Sequence, residues 1–135
     1  MRARFLIIDD NALVRSTLGT ILETNSDWKI CGEASNGVDG VESFKNSRPD
    51  VVIVDFQMPG LNGVETARLI LQLASAVPIV MFTDHASPEL ETYALGAGIR
   101  AVVSKIDTFL LVGIIKAILG SDDSTRHDRA PSATI

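Results

Sequence analysis

The run Val51-Val52-Ile53-Val54-Asp55-Phe56-Gln57-Met58-Pro59-Gly60 places a short apolar segment directly before an acidic residue and a turn. Four consecutive β-branched residues are typical of a strand that is buried on both faces of a parallel sheet. The Pro59-Gly60 pair predicts a turn after Asp55. Three other short runs also end at a residue with useful chemistry: residues 5–8 at Asp9-Asp10, residues 79–82 at Thr83, and residues 101–104 at Lys105.

The chain alternates between strand-like and helix-like segments, which predicts an α/β fold of the (βα)5 type. Right-handed crossovers then give a parallel sheet with helices on both faces. Ser35-Asn36-Gly37 and Ser87-Pro88 predict the starts of two helices, because Ser and Asn are favoured caps and Pro is favoured in the first turn. Other predicted helices cover residues 12–24, 62–74 and 107–119, the last with Gly120 as its C-cap.

Length and composition indicate one folded domain. The 135 residues are 46% hydrophobic and 21% charged, so the chain can fill a core. The net charge of −5 argues against direct nucleic-acid binding, because phosphate recognition needs a cationic face. We find no signal-peptide pattern and no apolar stretch of the ~20 residues that a membrane span requires, so we expect a cytoplasmic protein. We expect a domain over residues 1–120 and a polar tail or truncated linker over residues 121–135.

The residues at the strand ends have complementary chemistry. The carboxyl ends of parallel strands lie at one edge of the sheet, where ligands bind in open α/β folds. The adjacent Asp9 and Asp10 repel each other unless a cation compensates, and Mg²⁺ suits a site that also holds phosphate oxygens. We therefore predict a Mg²⁺ site in which Asp55 is the nucleophile that accepts a phosphoryl group. Thr83 and Lys105 are the predicted ligands of that group.

Other interpretations fit these residues less well. A single aspartate after a strand is usually a solvated turn residue, but four complementary strand ends together favour the phosphoacceptor. A dehalogenase-type phosphatase needs a second aspartate two residues after the first, where this chain has Gln57. Residues 96–101 match Gly-x-Gly-x-x-Ala, but they lie between a helix and a strand, whereas the dinucleotide fingerprint follows a strand. A flavin-binding module of the flavodoxin type also fits less well, because the acidic Asp9-Asp10 pair would repel the phosphate of the flavin.

The chain resembles the receiver domain of response regulators in two-component signalling, over residues 1 to about 120. The resemblance rests on Asp9-Asp10, the Asp-x-x-Met-Pro-Gly pattern within residues 55–63, Thr83 and Lys105. The family has a flavodoxin-like, doubly wound sheet of five parallel strands in the order 2-1-3-4-5, as in the chemotaxis regulator. We expect the same fold here.

The resemblance also implies a role for each matching residue. Asp55 would accept the phosphoryl group from a sensor histidine kinase. Asp10 and Asp55 would ligate Mg²⁺ together with the backbone carbonyl of Gln57, while Asp9 would support the metal through water. Self-phosphorylation by small phosphodonors and self-dephosphorylation would take the place of conventional enzymatic turnover. The residues implied in binding the phosphoryl group are Thr83 and Lys105.

Two further segments suggest a subgroup. Gly32-Glu33-Ala34-Ser35-Asn36-Gly37 and Ala117-Ile118-Leu119-Gly120 resemble receivers of the NarL/FixJ/LuxR type, which carry a C-terminal helix-turn-helix domain. We therefore expect control of transcription through a DNA-binding domain that is absent from this chain. The alternatives are a stand-alone receiver and a receiver-like interaction module that is not phosphorylated.

The last predicted helix is apolar around most of its circumference, which is typical of a helix that is buried or forms an interface. We predict a homodimer or partner surface made by the fourth helix, the fifth strand and the fifth helix. Val102 on that surface stands where the family often has an aromatic residue that rotates inward on activation. The predicted sheet-facing residues of the fifth helix are Leu110, Ile114, Ala117 and Ile118, and the predicted outward-facing ones are Phe109, Val112 and Leu119.

Overall fold

The chain forms five strands and five helices that alternate along the sequence. The computed structural model describes the backbone of residues 2–132 and the side chains of residues 2–120. The elements are β1 (Ala3–Ile8), α1 (Ala12–Glu23), β2 (Trp28–Ala34), α2 (Gly37–Ser47), β3 (Val51–Val54), α3 (Gly63–Leu73), β4 (Ile79–Thr83), α4 (Pro88–Gly96), β5 (Ala101–Ser104) and α5 (Thr108–Ser132).

The five strands form one parallel sheet in the order β2-β1-β3-β4-β5. This arrangement confirms the predicted doubly wound topology. The chain reverses its direction of travel across the sheet between β1 and β3, and such a switch point leaves a crevice at the carboxyl ends of the two strands. The residues that follow β1 and β3 therefore lie beside that crevice.

Each face of the sheet carries its own hydrophobic core. Successive strand residues point to opposite faces, so β3 contributes to both cores, and all four of its residues are buried. Val52 and Val54 pack with residues from α2, α3 and α4, including Phe44. Val51 and Ile53 pack with residues from α1 and α5, including Leu22. The absence of polar residues from the 51–54 run follows from this double burial.

Side-chain caps fix where the helices begin. Asn36 and Ser87 cap α2 and α4 as predicted, and Pro88 occupies the first turn of α4. Asn62 caps α3 in a capping box, in which its side chain accepts from the Glu65 N–H and the Glu65 side chain accepts from the Asn62 N–H. The start of α3 is thereby set at a fixed distance from the end of β3.

The predicted end of the last helix is wrong. We expected it to stop at Leu119 with Gly120 as its C-cap, but α5 continues to Ser132. A glycine inside a helix costs only about 1 kcal/mol relative to alanine, so it does not oblige a helix to end. Residues 133–135 of the predicted polar tail lie outside the described residues. Within the described residues, none of the helices combines the length and apolarity that crossing a membrane requires.

The predicted orientation of the last helix is wrong in part. Leu111, Ile115 and Leu119 face the core, while Leu110 is about half exposed. Phe109 is exposed as expected, at 94% of its full surface. Apolar residues occur on every side of this helix, so the pattern alone could not decide which side meets the sheet. Ile114 and Ile118 are partly buried and pack against the core, as expected. Ala117, expected to face the sheet, is exposed. Val112, expected outside, is partly buried against the core.

The capping box predicts a measurable contribution to stability. We expect Asn62→Ala to lower the free energy of unfolding by about 1 kcal/mol, because the Glu65 N–H loses its acceptor at the start of α3. Urea denaturation would measure the loss. Asn46→Ala, the same change at an exposed position within α2, is the control and should change stability by less than about 0.5 kcal/mol. Equal effects of the two substitutions would contradict the role of the cap.

Candidate functional site

The sheet register brings the predicted residues to one edge. The Asp55 N–H donates to the carbonyl oxygen of Ile8 at 2.9 Å, which places Asp55 beside the end of β1. The Lys105 N–H donates to the carbonyl oxygen of Thr83 at 3.0 Å, which continues the pairing of β4 with β5 beyond the strands. Four separate segments therefore contribute to one site.

An ion pair lies at the centre of this edge. The Lys105 ammonium lies 2.8 Å from Oδ2 of Asp9 and 3.1 Å from Oδ2 of Asp55. Both carboxylates are buried, with 3% of Asp9 and 5% of Asp55 exposed. Buried charges are stable only when they are paired, so these three side chains depend on one another.

The balance of charge in the site favours another cation. Burial raises the pKa of Asp9 above its ordinary value, and the hydrogen bonds from Lys105 and Asn11 offset only part of that effect. Burial acts to lower the pKa of Lys105, but the hydrogen bonds to Asp9 and Asp55 and the negative charges of these carboxylates together outweigh burial and raise that pKa. Lys105 therefore stays protonated, while Asp9 carries its charge at a cost that a further cation would relieve.

Asp9, Asp10 and Asp55 form a cluster that fits a metal ion. Each offers a carboxylate oxygen, and these oxygens lie within 4.8 Å of one another. Asp10 is exposed, so the cluster opens to solvent on one side. Oxygen donors with an open side suit Mg²⁺, which keeps several of its waters. Gln57, whose carbonyl is the other predicted ligand, is exposed in the loop between β3 and α3.

The loop after Asp55 is held close to that residue. The Phe56 N–H donates to Oδ1 of Asp55 at 2.7 Å, and the Gly63 N–H donates to the Phe56 carbonyl at 2.7 Å. A Cβ atom on Gly63 would lie 2.1 Å from the carbonyl oxygen of Asp55, so only glycine fits there. Gly60 has φ +78°, a backbone conformation that favours glycine. These glycines let the loop fold back against the phosphoacceptor position.

Thr83 lies at the end of β4 and is fully buried. Its hydroxyl oxygen accepts a hydrogen bond from the His85 N–H at 3.1 Å. Within the part of the chain that the structure describes, this hydroxyl donates to no other group, so its proton can be donated to a further acceptor. The structure thus places a donor of the predicted type at the end of the strand next to β3.

Comparison with known proteins identifies the family. The family model for the response regulator receiver domain matches residues 5–116, which is most of the chain. The chain belongs to the response regulator receiver domain family. Phosphorylation and Mg²⁺ binding are general properties of receiver domains in two-component systems.

Similar proteins combine this domain with different outputs. The response regulator UvrY of Escherichia coli is 38% identical over 100 residues, which cover 74% of this chain and 46% of the relative. A protein-glutamate methylesterase/protein-glutamine glutaminase of Methanosarcina acetivorans is 41% identical over 98 residues, covering 70% of this chain and 28% of the relative. The matched region therefore covers less than half the length of either relative.

Solved structures agree with the fold and include the subgroup predicted from the sequence. A LuxR-family two-component response regulator from an Aurantimonas species superposes with a TM-score of 0.86 at 30% identity, covering 90% of this chain and 87% of that one. The receiver domain of the Mycobacterium tuberculosis response regulator NarL gives 0.79 at 27% identity, covering 89% and 95%. The predicted resemblance to LuxR-type receivers is confirmed.

The sequence did not reveal two contacts beside the site. The Arg15 side chain donates to the carbonyl oxygen of Asp9 and pairs with Glu33. The Phe56 ring meets the Tyr93 ring of α4 edge-on, with centroids 6.5 Å apart. Glu33 lies within the 32–37 segment that suggested the subgroup, which was the available signal, whereas no pattern paired Phe56 with Tyr93.

The close approach at Gly63 predicts an unusual substitution effect. Glycine to alanine within a helix normally stabilises, but Gly63→Ala should lower the free energy of unfolding by about 1–3 kcal/mol, because its Cβ meets the Asp55 backbone. Gly113→Ala is the control in α5, where nothing lies within 4 Å of the added atom, and it should stabilise by about 0.5–1 kcal/mol. Chemical denaturation measures both, and stabilisation by Gly63→Ala would show that the loop does not pack as described.

Proposed function

We propose that this receiver domain is phosphorylated on Asp55 and thereby switches a protein-binding surface. The observation that supports this most directly is the Lys105 ammonium, which lies between the buried carboxylates of Asp55 and Asp9. A buried aspartate beside a cation and an open acidic cluster has the surroundings that a phosphoryl group needs. A merely structural ion pair would not require the additional, exposed carboxylate of Asp10.

The phosphoryl transfer follows from the positions of these side chains. An Asp55 oxygen attacks the phosphorus of a phosphohistidine in a sensor histidine kinase. The P–N bond breaks, its electron pair stays on the imidazole, and an acyl phosphate forms on Asp55. Each Asp55 oxygen accepts one hydrogen bond in the structure, from Phe56 or from Lys105, and retains a lone pair. We propose that Lys105 and the Thr83 hydroxyl then bind the phosphoryl oxygens.

The acidic cluster would hold the cofactor of this reaction. We propose that Asp10, Asp55 and the Gln57 carbonyl ligate Mg²⁺ and that Asp9 supports it through water. Bound Mg²⁺ would neutralise the charge on phosphoryl oxygens. The three carboxylates, opposed by one ammonium, carry the excess negative charge that such an ion would balance. We also propose phosphorylation by small phosphodonors and self-dephosphorylation.

The likeness to a LuxR-family response regulator is the basis for proposing an output in transcription. UvrY and the LuxR-family protein are response regulators, and the chain spans about half of UvrY. We propose a cytoplasmic regulator that acts on transcription through a DNA-binding domain outside this sequence. The methylesterase relatives show that the same receiver also occurs with a different output. A receiver-like module that binds partners without phosphorylation is the remaining alternative.

Intact-mass spectrometry tests the proposed phosphorylation. After incubation with acetyl phosphate and Mg²⁺, the wild type should gain one phosphoryl group, and Asp55→Asn should gain none because its amide is not a nucleophile. Asp39→Asn, at an exposed aspartate in the first turn of α2, should be phosphorylated like the wild type. Folded wild-type protein that gains nothing would favour the non-phosphorylated interaction module.

The surface that responds to phosphorylation is proposed to be formed by α4, β5 and α5. Val102 stands where the family often has an aromatic residue. We propose that the contact between Phe56 and Tyr93 is one connection from Asp55 to α4 in this chain. Leu95 of α4 and Leu110 of α5 are about half exposed, which leaves apolar surface for a partner or a second copy. Phe109 lies on the other flank of α5, where it lines a groove with Ile21 and Trp28.

A pair of substitutions distinguishes the two flanks of α5. With beryllofluoride and Mg²⁺ as a phosphoryl mimic, we expect the wild type to dimerise. Leu110→Ser should remain monomeric, because a hydroxyl replaces apolar surface that the dimer would bury. Phe109→Ser, on the opposite flank, should dimerise normally. Light scattering after size-exclusion chromatography measures the mass. Dimer loss with Phe109→Ser alone would contradict the proposed surface.

A further inference from the structure

Every polar atom of Asp9 has a hydrogen-bond partner. Its N–H donates to the Ala34 carbonyl at 3.0 Å, and its Oδ1 accepts from the Asn11 N–H at 2.8 Å. Its Oδ2 contacts the Lys105 ammonium. Its carbonyl oxygen accepts from Nη1 of Arg15. The first three contacts belong to the sheet, to the start of α1 at Asn11 and to the ion pair. The contact from Arg15 to the Asp9 carbonyl belongs to none of these features.

Arg15 is itself held in place. Its Nε lies 3.1 Å from Oε1 of Glu33, and its side chain is only 18% exposed. Arg15 lies in the first turn of α1, while Glu33 precedes Ala34 at the end of β2. One guanidinium thus connects α1, β2 and the peptide between Asp9 and Asp10. Such a two-sided contact uses the fork geometry of arginine, which a lysine cannot reproduce.

The peptide that Arg15 holds leads directly into the exposed carboxylate of the cluster. Within the described residues, the Asp10 side chain has no hydrogen-bond or ion-pair partner, so its position depends on the backbone that precedes it. Fixing the Asp9 carbonyl fixes the plane of the Asp9–Asp10 peptide and hence the direction in which Asp10 leaves the strand. The charge of Arg15 is balanced by Glu33, so the contact does not oppose a nearby cation.

We infer that Arg15, held by Glu33, is a positioning residue for the metal site. It acts through the Asp9 carbonyl to orient Asp10 rather than by touching the metal or the phosphoryl group. This inference rests on the proposed binding of Mg²⁺ at the cluster. A contact that orients a ligand from outside the metal site typically changes metal affinity about 10–100-fold when it is removed.

Mg²⁺ titrations of the full chain test the inference, followed by the amide NMR signals of Asp10 and Asn11. We expect Arg15→Gln to raise the Kd for Mg²⁺ about tenfold. Arg15→Lys should also weaken binding, although it keeps the charge, and it serves if Arg15→Gln does not fold. Glu33→Gln keeps an acceptor for Arg15 and should have a smaller effect. Arg100→Gln, an exposed arginine before β5, is the control and should bind Mg²⁺ normally.

Phosphorylation kinetics separate positioning from general damage. In Arg15→Gln, the Mg²⁺ concentration that gives half the maximal rate with acetyl phosphate should rise, while the rate at saturating Mg²⁺ returns to the wild-type value. An unchanged or lower Kd in Arg15→Gln would overturn the inference, because removing a positive charge alone strengthens cation binding. Wild-type protein that binds no Mg²⁺ would instead contradict the proposed function, and with it this inference.

Discussion

The site depends on one ammonium group between two buried carboxylates. Lys105 follows β5, the outermost strand on one side of the sheet, whereas Asp9 and Asp55 follow β1 and β3 at the switch point. This ion pair therefore connects the switch point with the outer strand β5. Neither carboxylate is stable in the interior alone, and the ammonium would be equally costly without them. The pair neutralises only part of the acidic cluster, however, and the remaining charge faces solvent at Asp10. This excess of negative charge favours a cation at the site, and we propose that the site binds Mg²⁺ together with a phosphoryl group.

The site combines two buried aspartates whose backbones are held by the sheet with one aspartate that is open to solvent. The Asp9 and Asp55 backbones are hydrogen-bonded to neighbouring strand ends, and the loop after Asp55 folds back onto it through Gly63. The Asp10 side chain, by contrast, is exposed. The site is therefore open to solvent at Asp10, while the Phe56 ring contacts Tyr93 of α4.

Much of this could be predicted from the sequence, because β-branched runs such as 51–54 have few alternatives to a buried parallel strand. Asn36 and Ser87 were likewise predictable as helix caps, because each cap hydrogen-bonds to a backbone N–H only three residues later. The orientation of α5 was not predictable, since the helix has apolar residues on every side and only its packing on the sheet decides that Leu111 faces the core. Arg15 was missed for a related reason. Its contacts with Asp9 and Glu33 exist only once β2 is paired with β1 in the observed register, and no single segment contains that information.

A crystal structure of the domain with Mg²⁺ and beryllofluoride would test whether Asp55 is the phosphoacceptor, because it shows the ligands of both groups at once. We expect beryllium bonded to an Asp55 oxygen, fluorines contacted by Lys105 and the Thr83 hydroxyl, and Mg²⁺ on Asp10, Asp55 and the Gln57 carbonyl. Beryllofluoride bound elsewhere, or an Asp55 that keeps its contact with Lys105 and takes no ligand, would contradict the assignment of Asp55 as the phosphoacceptor.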